Sequence, residues 1–223
     1  MENIDKNEDL SICSECGGMC CKKSGCDYSL TDFSDLKYQT MLNELNKGDK
    51  SIVAMISFRT VHNGKLIAEP FMYIRARNVN RDIVDLISMK TRCSQLGENG
   101  CKYDYEHRPL GGRNLKPSRS KDGPCRPVIS PIWIMETWKP YQKQLGKLVK
   151  HYTGMSVDKK IKIDVENLIY DVMMENFEGV LPLELADLKG FVPLLVRAFP
   201  EQAMKAKERF EKNSFKVLSK KNK

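Results

Sequence analysis

Hydrophobic positions first fall into a helical period between Tyr38 and Leu45, where Tyr38, Met41, Leu42 and Leu45 share one face. The pattern predicts a helix capped by Thr31 or Ser34 and ended at Gly48. The period then changes. Ser51–Val61 is rich in β-branched and aromatic residues. Glu69–Val79 is its expected partner strand across Asn63-Gly64, two residues that tolerate positive φ in a hairpin turn. In the second run Phe71, Tyr73, Arg75 and Arg77 alternate with Met72, Ile74 and Ala76, so the two sets belong to opposite faces. Asp82–Met89 fits a third strand or a short helix.

Helical period returns in the second half. Tyr141, Leu145, Leu148, Val149 and Tyr152 form one stripe, and Val165, Leu168, Ile169, Val172 and Met173 form another with Asp164 as its cap. Leu183–Ala198 and Glu201–Leu218 predict two more helices separated near Pro200. Between the β region and these helices, Thr91–Pro131 has five prolines, five glycines and three cysteines. So long a loop-like stretch in a compact domain needs something to organise it. The expected fold is α+β: a small β region with irregular cysteine-rich metal-binding loops, followed by a helical C-terminal extension. Residues 1–11 are expected to be a disordered leader, 12–152 the cysteine-cluster domain and 153–223 the extension.

The 223 residues suffice for one domain with a core plus a helical appendage. No apolar run approaches the roughly 18 residues of a membrane span, and the polar, acidic Met1–Asp9 is unlike a signal peptide. The expected location is therefore cytoplasmic, without membrane partners. The net charge of +8 is uneven: residues 1–35 carry 8 acidic and 3 basic side chains, 90–150 carry 13 basic and 5 acidic, and 205–223 carry 8 basic and 2 acidic. The basic loop and tail suit an acidic protein or a nucleic acid, or are a solvated surface.

Eight cysteines change the picture most. In a reducing compartment stable disulfides are rare, and clustered cysteines ligate metal, do redox chemistry or pack. Cys13-x-x-Cys16 and Cys20-Cys21 lie within nine residues around Gly17-Gly18, and Cys26 follows five further on. A Cys-x-x-Cys turn lets both sulfurs face one metal, and Zn²⁺ and iron–sulfur clusters both take four such ligands. Side chains of adjacent residues in an extended segment point to opposite sides. One of Cys20 and Cys21 is thus expected to join Cys13 and Cys16, the other to face a second metal or the core. Cys93, Cys101 and Cys125 would supply the closing ligands and tie the two irregular segments together. A redox dithiol at Cys13 and Cys16 lacks the βαβ surroundings of a thioredoxin-like site.

The run Cys13-x-x-Cys16-Gly17-Gly18-x-Cys20-Cys21-Lys22 resembles the signature of the YkgJ-like cysteine-cluster proteins, zinc- or iron-chelating domains. The second signature of that family is matched by Cys93-Ser94-Gln95-Leu96, Gly100-Cys101, Tyr103, Tyr105 and Arg108-Pro109. The resemblance covers roughly residues 12–145, and Trp138, Tyr141 and Gln142 look similar to clostridial-type members. It implies bound Zn²⁺ or an iron–sulfur cluster. It also implies an alternative, since some similar proteins are lysine N-methylases thought to use S-adenosylmethionine beside a cluster. This chain is shorter and has no Gly-x-Gly-x-x-Gly loop. Where many members have Cys-Arg after Arg-Pro, it has Gly112-Arg113. Cys125, before Arg126-Pro127, is a possible replacement ligand.

The remaining candidates are weaker. His107, near Cys101, is a nitrogen ligand or general base, or an ordinary loop histidine. Tyr73 and Arg75, with Phe71 and Arg77, could hold an anion or stack a base, or form a half-exposed face with arginine stems over the rings. Arg108, Arg113, Lys116, Arg119 and Arg126 would offset thiolate charge. Trp133 and Trp138 are expected packing anchors. A zinc-dependent interaction or nucleic-acid module is the third functional alternative.

Overall fold

The computed structural model describes residues 17–18, 21–22, 25–87, 92–98, 100–116, 125–178 and 190–221. The leader, Cys13, Cys16, Cys20, Arg119 and the expected helical stretch 183–189 lie outside the described residues. The fold is α+β.

Its centre is an antiparallel hairpin of β1 (Lys50–Thr60) and β2 (Leu66–Ala76), in register from Lys50↔Ala76 to Thr60↔Leu66. The Asn63-Gly64 turn forms, but not with two left-handed residues. The Gly64 amide donates to Val61 O at 2.8 Å and the Val61 amide to Lys65 O at 3.0 Å, with only Gly64 at positive φ (74°). This three-residue loop with a left-handed glycine is the next favoured hairpin connection. It starts the second strand three residues earlier than the sequence pattern implies.

Both outer edges of the hairpin are occupied. Residues 25–28 run along β2, with Tyr28 N donating to Ile74 O and Ala76 N to Cys26 O, both at 2.9 Å. Residues 83–86 run along β1: Ile52 N donates to Ile83 O, Asp85 N to Ile52 O and Ala54 N to Leu86 O. The described part of 82–89 is thus an irregular parallel edge, neither a regular strand nor a helix.

Helix α1 (Tyr38–Asn46) buries Met41 and Leu45, as its stripe predicts. Its expected caps are a correction. Ser29, rather than Thr31 or Ser34, makes a capping box, and it does so around a 3-10 turn, Leu30–Asp32. The chain leaves that turn extended at Phe33, whose ring packs edge-on against Trp138 with centroids 5.5 Å apart. Helix α1 therefore starts after Lys37 with no side-chain cap.

Among the described residues, the loop-like stretch holds only short elements: β3 (Leu96–Gly97) paired with β4 (Gly100–Cys101), α2 (Leu110–Arg113), and β5 (Leu115–Lys116) paired with β6 (Arg126–Pro127). Helix α3 (Pro131–Glu136) buries Ile134 and Met135. Trp138 is fully buried just beyond it, whereas Trp133 is 53% exposed and anchors nothing in the core.

Helix α4 (Gln142–Thr153) buries Leu145, Leu148 and Val149. Gln142 clamps it to β2, accepting from Met72 N at 2.9 Å and donating to Met72 O at 2.8 Å. Helix α5 (Val157–Glu178) starts well before Asp164, since Ser156 Oγ accepts from Lys159 N at 3.3 Å. Asp164 is therefore interior rather than a cap. Its carboxylate accepts from Leu86 N at 3.2 Å and pairs with Lys160.

Helices α6 (Val192–Ala198) and α7 (Pro200–Lys221) complete the chain, with Pro200 opening α7. Leu195 and Ala206 join one hydrophobic cluster with Ile52, Ile74, Leu148 and Val165. Among the described residues no helix is long and apolar enough to cross a membrane.

Candidate metal centre

The cysteine site is built on the edge of β2. Past Ala76 the chain continues extended, and Asn78 pairs antiparallel with Cys93. The Ser94 amide donates to Arg77 O at 2.9 Å and the Val79 amide to Arg92 O at 2.7 Å. This fixes Cys93, 4% exposed, at the foot of the β3–β4 hairpin, where Leu96 pairs with Cys101.

Gly18 and Cys21 dock on the same hairpin. The Cys93 amide donates to Cys21 O at 2.7 Å. A Cβ on Gly18, left-handed at φ +72°, would stand 2.5 Å from Leu96 Cδ1. Gly25 fits flat on β2: its amide donates to Asn78 Oδ1 at 2.8 Å, and a Cβ there would meet Ala76 O at 2.0 Å. The two irregular segments, distant in sequence, thus meet across the β region.

Cys26 also lies close to this group, five residues after Cys21. It lies near enough to Cys101, as does Cys93, for its charge to be felt there. Cys21, Cys26 and Cys101 are half-buried. Burial pushes the Cys101 thiol up from its usual range; the Tyr103 amide and the Arg108 guanidinium pull the other way, and Cys93 and Cys26 add to the rise. Among the described residues, no three His, Cys, Asp or Glu side chains form a group that could hold a metal ion. Cys125 is half-buried immediately before β6.

The cations near the thiols only partly match expectation. Arg108 is near enough to Cys101 for its charge to favour the thiolate, but Arg113 pairs with Asp32 at 2.5 Å and donates to Glu106 O at 3.1 Å, and Lys116 is exposed. Arg75 takes the arginine-over-ring alternative, its guanidinium 5.4 Å from the Tyr73 ring centroid. It does not line an open sheet face, because Asp27 from the neighbouring edge accepts from its Nε at 2.8 Å and Tyr73 Oη accepts from its Nη2 at 2.8 Å. Tyr73 is 4% exposed, and burial pushes its hydroxyl up to about 12. Arg75 also senses Cys26. Burial opposes its charge, yet Asp27 outweighs that and holds it firmly protonated.

Asp32 is an anchor that spacing did not reveal. It closes the capping box with Ser29, accepts from Leu110 N at 2.9 Å and pairs with Arg113. The Ser29-x-x-Asp32 pattern is the signal for the turn, but not for the long-range contacts. His107 is exposed, with Nδ1 2.5 Å from Asp104 Oδ1. A separate cavity of about 300 Å³ lies between residues 80–87 and α5, lined by Arg81, Asp85, Lys160, Asp164 and Asp171 among others, with no cysteine in its wall among the described residues.

Compared with protein-family models, curated proteins and solved structures, the chain matches none.

Proposed function

We propose that the chain is a metal-binding cysteine-cluster protein of the YkgJ-like kind, holding Zn²⁺ or an iron–sulfur cluster in the cytoplasm. Cys13, Cys16, Cys20, Cys21, Cys93 and Cys101 are the ligands drawn from the two signatures, and Cys125 is a further candidate. The observation that carries the reading is the Cys93 amide donating to Cys21 O at 2.7 Å. It ties Cys21 to the foot of the β3–β4 hairpin, as a shared thiolate site requires. Cys26 and Cys93, both within electrostatic reach of Cys101, support the same reading. Thiolate ligation suits both zinc and iron–sulfur chemistry. Arg108 and Arg75 offset part of the negative charge that thiolates would bring. The lysine N-methylase-like alternative rests on the resemblance alone. The nucleic-acid or acidic-protein alternative rests on the basic loop and tail alone.

Cadmium titration of the reduced, metal-free chain tests the proposal through the thiolate-to-metal charge-transfer absorption. The expected result is saturation at about one tetrathiolate site per chain or more. Saturation at less than that overturns it.

A further inference from the structure

We propose that the cavity between residues 80–87 and α5 binds a small hydroxylated amine, an amino alcohol or amino sugar, with its ammonium on Asp171 and a hydroxyl oxygen on Arg81 Nε. The inference is independent of the cysteine reading. One face of α5 carries Lys160, Asp164, Asn167 and Asp171 at helical spacing. The chain opposite turns at Asn80, left-handed at φ 60°, and brings Arg81 and Asp85 to the same cavity. Val84 and Leu168, 2% and 3% exposed, give it an apolar wall. Its volume of about 300 Å³ is at the lower end for small-molecule sites.

Two polar groups of this wall are unmet, and they differ in kind. Arg81 Nε is buried without a hydrogen-bond acceptor, and Asp85 Oδ2, 3.6 Å away, is too far to be one. Asp171 is half-buried and has no hydrogen-bond or ion-pair partner among the described residues. Arg81 and Arg209 act on it through their charge alone. Arg209 is turned to Asn167 instead, donating to its Oδ1 at 2.9 Å, and stacks over Tyr170 at 4.0 Å from the ring centroid. Burial raises the Asp171 carboxyl. A desolvated carboxylate without a donor costs the fold stability. Such a group, with no contact to make inside the fold, is characteristic of a binding site.

The charges select the ligand. The wall carries four carboxylates, Asp82, Asp85, Asp164 and Asp171, against Arg81 and Lys160, so it disfavours an anion. Asp164 already holds Lys160 and the Leu86 amide, and Asp85 pairs with Arg81. Among the described residues the carboxylates do not converge as a metal ion requires. An ammonium on Asp171 fits. Arg81 Nε needs an acceptor, and a fully charged one would be repelled by Asp85, which leaves a hydroxyl.

Isothermal titration at pH 7 tests the proposal with glucosamine, ethanolamine, glucose and cyclohexylamine, in about 0.15 M salt to screen diffuse attraction. Glucosamine or ethanolamine should bind at least about tenfold more tightly than glucose, which lacks the ammonium, and cyclohexylamine, which lacks hydroxyls. Asp171→Asn keeps the side-chain size and should weaken the hydroxylated amine at least about tenfold. Asp158→Asn, at an exposed position of the same helix paired with Lys162, should stay within about twofold of wild type. Arg81→Lys keeps the positive charge but removes Nε, and should bring the hydroxylated amine to within about twofold of cyclohexylamine. Wild type that binds neither hydroxylated amine, or binds glucose or cyclohexylamine as tightly, overturns the proposal. So do equal losses in Asp171→Asn and Asp158→Asn, or an Arg81→Lys chain that keeps the wild-type preference.

Discussion

The indole Nε1 of Trp138 donates to the carbonyl oxygen of Tyr28 at 2.7 Å, in a buried hydrogen bond between the helical half and the edge of the sheet. Phe33 packs edge-on against the same indole. Trp138→Phe leaves the Tyr28 carbonyl without this donor and opens space beside Phe33. The expected loss is about 3 kcal/mol by urea unfolding. Trp133→Phe, at an exposed position, should stay within about 0.5 kcal/mol of wild type. Equal losses in the two variants would contradict the placement of Trp138 as the core anchor.

Gly25 lies flat against β2, where a methyl group would meet backbone, Ala76 O at 2.0 Å, rather than a yielding side chain. Gly25→Ala must push residues 25–28 off the sheet edge. It should cost about 3 kcal/mol, at the upper end of overpacking effects. It should also weaken cadmium binding, because Cys26 moves with that edge. A variant with unchanged unfolding midpoint and metal affinity would separate the edge from the cysteine site.

Arg75 and Asp27 form a buried ion pair at 2.8 Å, with side chains 15% and 11% exposed. Removing one member strands a charge in the interior, so Arg75→Met should destabilise the chain by about 3 kcal/mol or more. Asp27→Asn in the Arg75→Met background should recover part of that loss, because no unpaired charge then remains. The double-mutant cycle in urea measures the coupling directly, and additive losses would mean the pair is uncoupled.

Burial raises the Asp171 carboxyl above its ordinary 3.8, while Arg209 and Arg81 pull it down. Its folded pKa therefore exceeds its unfolded one. The corresponding stability is full below 3.8 and lost as pH rises through the folded value. Asp171→Asn keeps the neutral form at every pH. It should melt above wild type at pH 7, with the gap closing as pH falls through the raised folded value and gone below 3.8. Melting temperatures across that range check the sign, and a variant less stable at pH 7 would show that attraction to the arginines outweighs burial.

What the sequence shows of this fold follows from which contacts are local. The β1–β2 hairpin and the α4 stripe were legible because alternation and helical period are written in adjacent residues, and Leu145, Leu148 and Val149 are buried as that period requires. The caps were not. Thr31 and Ser34 are good capping residues in isolation, but Ser29 and Asp32 close a short turn and Phe33 is drawn toward Trp138. Asp164 misled for a similar reason: its partners are Leu86 and Lys160, and the helix starts at Val157. Alternation placed Arg75 correctly on its strand face, but Asp27 arrives from another segment with no local signal.

The central claim is that these thiols hold Zn²⁺ or an iron–sulfur cluster. Anaerobic purification followed by metal and acid-labile sulfide analysis, with an absorption spectrum, tests it most directly. The account predicts either iron with sulfide and a brown chromophore, or colourless protein with stoichiometric zinc. Protein that carries neither would contradict it and return the cysteines to redox chemistry or packing.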